Sequence, residues 1–180
     1  AILSAALSKI ISSAIRNNMN SPYQKIISLN QAAEISARLR NAGQTVGFTN
    51  GVFDCLHYGH IQSFMGTKKL CDKLFVGMNS DASVKRLKGP ARPIQDETTR
   101  SVLIASMEFV DFVVVFDTDT ALPLVEIILP DVIAKEGYEI SKWPEGQFVQ
   151  SRGGQAVTLP RIDGYSTTEI IKRMFGLNSK

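Results

Sequence analysis

Five short runs of apolar, largely β-branched residues alternate with stretches of helical spacing, and this alternation constrains the fold more than any other feature of the chain. The runs are residues 45–48 (TVGF), 73–78 (KLFVGM), 111–116 (DFVVVF), 131–135 (DVIAK) and 156–160 (AVTLP). Strands that are apolar on both faces belong to parallel sheets covered on both sides. Helices are expected over roughly 58–71, 96–108, 120–129, 146–151 and 166–175, with Pro130 closing the third. A further helix ahead of the first strand should be capped by Asn30 and stopped by Gly43. The pattern predicts an α/β fold, a Rossmann-like, doubly wound parallel sheet of five strands. Ligands of such sheets bind beyond the carboxyl ends of the strands, so chemistry is sought in the loops after residues 48, 78, 116, 135 and 160.

At 180 residues one domain is expected. Residues 1–27 are set apart as an N-terminal extension and residues 28–180 as a single domain. Within the extension, residues 1–18 have the spacing of a short amphipathic helix, read as a remnant of an upstream start, a packing extension or a targeting segment. Three of the 20 basic residues, Lys9, Arg16 and Lys25, precede the first acid, Glu34, and the others balance the 17 acids. A balanced body argues against broad nucleic-acid binding. No apolar run approaches the roughly 20 residues that a membrane-spanning helix needs. Cys55 and Cys71 have neither metal nor disulfide spacing, which makes a reducing cytoplasm the expected compartment.

Both histidines of the chain, His57 and His60, stand three residues apart in the loop after the first strand, Thr49-Asn50-Gly51-Val52-Phe53-Asp54-Cys55-Leu56-His57-Tyr58-Gly59-His60. At the start of a helix that spacing puts both imidazoles on one face, beside unpaired N–H groups and a partial positive charge. Gly51 and Gly59 are expected to let the backbone approach a bulky anion. The result is a phosphate cradle with two donors aimed inward. Asp54 divides evenly between touching a ligand and bracing the loop through backbone N–H groups. Cys55 shows no sign of being a nucleophile.

The pattern Gly51-x-Phe53-Asp54-x-x-His57-x-Gly59-His60 resembles the signature of the cytidylyltransferase-like nucleotidyltransferases. Six fixed positions at about one in twenty each make a chance match on the order of one in several hundred thousand. Gly164-Tyr165-Ser166-Thr167-Thr168-Glu169-Ile170-Ile171 resembles the family's second motif, a turn that binds NTP phosphates. Ser166 and Glu169 also form a capping-box pattern, which explains those two residues but not the threonines. The stretch Asn79-Ser80-Asp81-Ala82-Ser83-Val84-Lys85-Arg86-Leu87-Lys88-Gly89-Pro90-x-Arg92-Pro93 resembles the nucleotidyltransferase domain of ADP-heptose synthases, as do Thr49-Asn50-Gly51 and Ile128-Leu129-Pro130-Asp131. Two departures stand against it. Those enzymes show K-G-G-D-Y where this chain has Lys135-Glu136-Gly137-Tyr138-Glu139, and both Leu159-Pro160-Arg161-x-x-Gly164 and Trp143-x-Glu145-Gly146 look more like glycerol-3-phosphate cytidylyltransferases.

The resemblance implies transfer of AMP from ATP to D-glycero-D-manno-heptose 1-phosphate with release of pyrophosphate, feeding lipopolysaccharide or another surface glycan. The rivals are a cytidylyltransferase acting on glycerol 3-phosphate with CTP, and a sensor that kept the fold without turnover. In those synthases the domain often follows a sugar kinase; the residues ahead of it here are too few for one, so the sugar phosphate is expected from another protein. The resemblance also implies a homodimer. It assigns His57, His60, Lys69 (with Lys68 beside it as the alternative) and Arg100 to catalysis, and Thr49, Asn50, Gly51, Phe53, Asp54, Gly59, Ser166, Thr167 and Thr168 to the nucleotide. Lys85, Lys88 and Arg92 would hold the sugar phosphate on a mobile loop. Mg²⁺ would be carried by the NTP phosphates without protein ligands.

Overall fold

The computed structural model describes residues 21–177, and the helix expected over residues 1–18 lies outside them. Strands β1 (Val46–Gly51), β2 (Lys73–Asn79), β3 (Phe112–Phe116), β4 (Val132–Glu136) and β5 (Gln155–Leu159) form one parallel sheet in the order β3-β2-β1-β4-β5. Seven α-helices accompany it among the described residues: α1 (Leu29–Asn41), α2 (Tyr58–Lys68), α3 (Asp81–Lys88), α4 (Glu97–Ala105), α5 (Leu122–Ile128), α6 (Pro144–Ser151) and α7 (Thr167–Leu177). None of them is long and apolar enough to cross a membrane.

Side chains alternate across each strand, so the sheet buries a cluster on each face. Leu74, Val76 and Met78 of β2 pack with Phe64 of α2 and Ile104 of α4. Phe75 faces the other way and joins Phe48, Val114, Leu124, Ile128 and Trp143. Each such side chain contributes about 1.5–3 kcal/mol on full burial. Gly77 makes room for the second cluster, because a Cβ there would stand 2.7 Å from the Phe48 ring.

The strand order creates the site. The chain steps outward from β1 through β2 to β3, then returns to the opposite side of β1 with β4, and a crevice opens where the direction reverses. β1 pairs with β2 along its whole length, from Val46 to Gly51, but with β4 only at Gly47 and Phe48. Beyond Phe48 the two neighbours part. Thr49, Asn50 and Gly51, expected in the loop, are the end of β1, where Asn50 and Gly51 border the opening and Thr49 is buried.

Three expectations are corrected. The domain begins before residue 28: Ile26 bridges Val113, the Ile27 N–H donates to the Val113 carbonyl at 2.9 Å, and Lys25 Nζ donates to the Met107 carbonyl. The cap of α1 is Ser28, whose hydroxyl accepts from the Gln31 N–H while the Gln31 side chain accepts from the Ser28 N–H. That reciprocal pair satisfies two otherwise orphaned donors, and Asn30 lies inside the helix. Finally, the expected mobile loop carrying Lys85 and Lys88 is helix α3, started by Ser80, whose side chain accepts from the Ser83 N–H.

Candidate active site

Beyond Gly51 the chain turns sharply. Phe53 takes a left-handed conformation with φ 50°, which lays its ring against the edges of both His60 and Phe64. A Cβ on Gly51 would stand 2.9 Å from that ring. One on Gly59 would press on the His57 imidazole at 3.1 Å and approach the Tyr165 carbonyl at 3.6 Å. Both glycines therefore admit neighbouring protein groups, where the sequence suggested room for an anion.

His57 caps α2 in extended conformation, and His60 follows in its first turn. Their rings stack with centroids 3.7 Å apart and planes 20° from parallel. Burial lowers the pKa of His57, and burial together with neighbouring His57 lowers that of His60 to about 3. Both are neutral at pH 7. Each buried Nδ1 lacks a hydrogen-bond partner among the described residues.

Asp54 resolves as a brace. Its side chain is 1% exposed and accepts from the backbone N–H groups of Ile94 and Gln95, at 2.6 and 3.0 Å, and from Arg92 Nε. Arg100 is likewise fully buried at the start of α4. Its guanidinium donates to the carbonyls of Gln95, Val52 and Asn79 and to the Asp81 carboxylate at 2.6–3.0 Å. It ties together the loop after β1, the end of β2 and the start of α3. Expected among the catalytic groups, it sits as an internal clasp with every guanidinium nitrogen engaged. Burial raises the Cys55 thiol pKa and Asp54 beside it adds to the effect, which disfavours the thiolate.

The C-terminal turn completes the enclosure. Ser166 accepts from the Glu169 N–H at 3.2 Å at the start of α7. The Tyr165 ring packs against Tyr58 of α2 with centroids 5.2 Å apart. Thr167 and Thr168 thereby line a cavity of about 300 Å³ with His60, Asp54, Lys88 and Arg92. A second cavity, of about 420 Å³, adjoins it through the shared residues Val52 and Lys88. Asn50 and Gly51 border this second space, together with Asn79, Trp143 and Glu145. Sequence reasoning assigned no role to those last three; the signal for two of them was the motif Trp143-x-Glu145-Gly146 after β4.

Lys69 is not brought to the site. It follows α2, whose 11 residues carry it about 18 Å from His57 along the helix axis. Its neighbour Lys68 pairs with Asp111 at 2.5 Å, at the amino ends of the strands. Lys85 lines neither cavity, and Arg86 is held on the surface by Asp119.

The cytidylyltransferase-like family model matches residues 48–173. The bifunctional protein HldE of Paramagnetospirillum magneticum is 46% identical over 162 residues, 89% of this chain and 33% of that protein. The HldE of Rhodospirillum rubrum is 43% identical over 153 residues, 84% of this chain and 31% of that protein. The chain thus spans about a third of the length of these curated relatives. Among solved structures, a lipopolysaccharide core biosynthesis protein from Thermoplasma volcanium GSS1 superposes with a TM-score of 0.57 at 28% identity, over 67% of this chain and 100% of that one. A pantoate-beta-alanine ligase from Francisella tularensis shares the fold, with a TM-score of 0.56 at 14% identity over 86% of this chain and 79% of that one.

Proposed function

The chain belongs to the cytidylyltransferase-like family, and from that premise we propose that it transfers AMP from ATP to D-glycero-D-manno-heptose 1-phosphate, giving ADP-heptose and pyrophosphate. The observation that carries the proposal is the smaller cavity, where His60, Lys88, Arg92, Thr167 and Thr168 converge from four separate parts of the chain. The His60 imidazole with His57 stacked on it, two cations and a helix amino end around one opening suit a polyanion.

In this reading the sugar-phosphate oxygen attacks the α-phosphorus in line and pyrophosphate leaves. The protein contributes position and charge. The neutral imidazoles of His57 and His60 donate N–H hydrogen bonds to phosphate oxygens as charge moves to the leaving group. Arg92, oriented by Asp54, and the N–H groups at the start of α7 hold the triphosphate. Lys88, bordering both cavities, meets the acceptor phosphate beside the α-phosphate. Arg100 keeps the imidazole loop in register without touching substrate.

Mg²⁺ bound to the phosphates would supply charge neutralisation between two anionic substrates. The site fits an ion that arrives on the triphosphate. Asp54, the carboxylate of the smaller cavity, is already taken by Arg92 and two amides, and no cluster of three metal-ligating side chains occurs among the described residues.

Support for the heptose acceptor comes from the likeness of residues 79–93 to ADP-heptose synthases and from the identity to HldE proteins over most of this chain. The Trp143–Gly146 motif motivates the cytidylyltransferase alternative. Pyrophosphate release with Mg²⁺, crossing ATP and CTP against heptose 1-phosphate and glycerol 3-phosphate, separates them. Release with ATP and the heptose alone is expected; release with CTP and glycerol 3-phosphate would replace the proposal.

A further inference from the structure

The larger cavity has a chemistry of its own. Trp143 is 1% exposed and lines it, and its indole N–H, a donor only, finds no partner among the described residues. Asn50 lines it too, and its buried side-chain oxygen, an acceptor only, is likewise without a partner. Buried polar groups are normally satisfied, so two orphans of opposite sense on one cavity mark a place for a ligand group that both accepts and donates.

A hydroxyl does both. A phosphate accepts only, and the Asn50 oxygen would face it unfavourably. The charged lining is balanced, Glu145 and Asp119 against Lys88 and Lys135, so the space lacks the cationic excess that a triphosphate needs. The walls are fixed. One Glu145 oxygen accepts from the Ala121 N–H at 3.0 Å. The Trp143 ring lies so close to Gly146 that a Cβ there would stand 2.6 Å from it. Tyr138 packs near Trp143 with ring centroids 5.8 Å apart, and Lys135 covers the Tyr138 ring with its ammonium 4.2 Å from the centroid. Aromatic surface with a few placed polar groups, in a volume of about 420 Å³, is the make-up of a small-molecule site.

We infer that this cavity holds the hydroxyl-bearing body of the acceptor sugar, and that Trp143 and Asn50 are specificity-determining residues that grip a sugar hydroxyl from both sides. The inference rests on the transfer reading above and extends it. With the sugar body here, its phosphate falls at Lys88, where the cavities meet, adjacent to the nucleotide phosphates. A site built to hydrogen-bond a hydroxyl discriminates strongly against an analogue lacking it, because its own buried groups are then stranded.

Trp143 is the single tryptophan of the chain, so its emission reports on this cavity directly. Titrating the unmodified protein with heptose 1-phosphate in the absence of nucleotide should change that emission saturably, and Mg-ATP alone should leave it unmoved. A response to Mg-ATP without one to the sugar phosphate would assign the cavity to the base and overturn the inference, as would no response to either. As a second test, Trp143→Phe keeps an aromatic ring and deletes the donor. It should raise KM for the sugar phosphate about tenfold while KM for ATP stays put; unchanged KM values for both substrates would count against it. Binding of the sugar phosphate without pyrophosphate release would keep the cavity assignment and sink the transfer reading. Turnover with an unmoved Trp143 emission would do the reverse.

Discussion

Two stretches of chain face one another across the smaller cavity, and they are held in opposite ways. The loop from Val52 to His57 is fastened from beneath: Phe53 and Asp54 are buried, Arg100 grips the Val52 carbonyl, and Asp54 is bonded three times over. The end of α3 opposite it is exposed from Lys85 to Lys88, and among the described residues Lys88 forms no ion pair. In the proposed reaction the rigid donors serve where charge develops, and the exposed cation serves where the anionic substrate enters. Electrostatic stabilisation works best from groups that need no reorganisation, whereas capture of a polyanion tolerates a long, rotatable ammonium.

Variants can break this contrast in order of expected effect. His60→Ala should lower kcat by about a hundred- to a thousand-fold with little change in KM, measured as pyrophosphate release; retention of more than half the rate would remove the imidazole from the reaction. Arg100→Ala should cost about 3 kcal/mol of stability, read from the urea midpoint, because three carbonyls and a carboxylate lose a buried partner together. If Arg100 instead contacted phosphate, the loss would appear in KM for ATP with the midpoint intact. Lys88→Ala should do the opposite of Arg100→Ala, raising KM for the sugar phosphate about tenfold with a midpoint shift within about 0.5 kcal/mol.

The effect that is smallest at neutral pH, and grows only in acid, is the titration of His60. The pKa of His60 falls from its ordinary 6.5 to about 3 on folding. Between those values the unfolded chain holds the extra proton, so stability is full above pH 6.5 and erodes as the pH falls toward 3. His60→Asn, which does not titrate, should show a shallower fall in Tm over that range. Parallel curves would mean that the imidazole is more open to water than its packing implies.

The strands and most helices were legible because apolar runs and their spacing are local properties. So was the imidazole pair, which two adjacent turns of chain determine. Helix α3 was missed because its sequence, DASVKRLK, offers one short apolar pair among charges; the Ser80 cap was the available signal. Lys69 was misplaced because closeness in sequence along a helix means separation along its axis. The start of the domain escaped notice because residues 26–27 are anchored by a strand nearly ninety positions downstream, a contact that no local pattern announces. Arg100 looked like a ligand contact because a guanidinium's chemistry is the same whether it meets a phosphate or its own backbone. The residue type states what can be bound, and only the packing states what is.

Phe53 places a demand on its position that no amino acid meets in full. The backbone at φ 50° suits glycine, while the space between His60 and Phe64 needs an aromatic ring. Glycine would relax the turn and leave a hole, and a β-branched residue would fail on both counts. Substitutions at residue 53 should therefore be rejected almost regardless of type, which narrows the routes by which this loop can drift during divergence. The exposed rim around Lys85 and Lys88 imposes no such double condition, so its sequence is free to change at a rate that the imidazole loop is not.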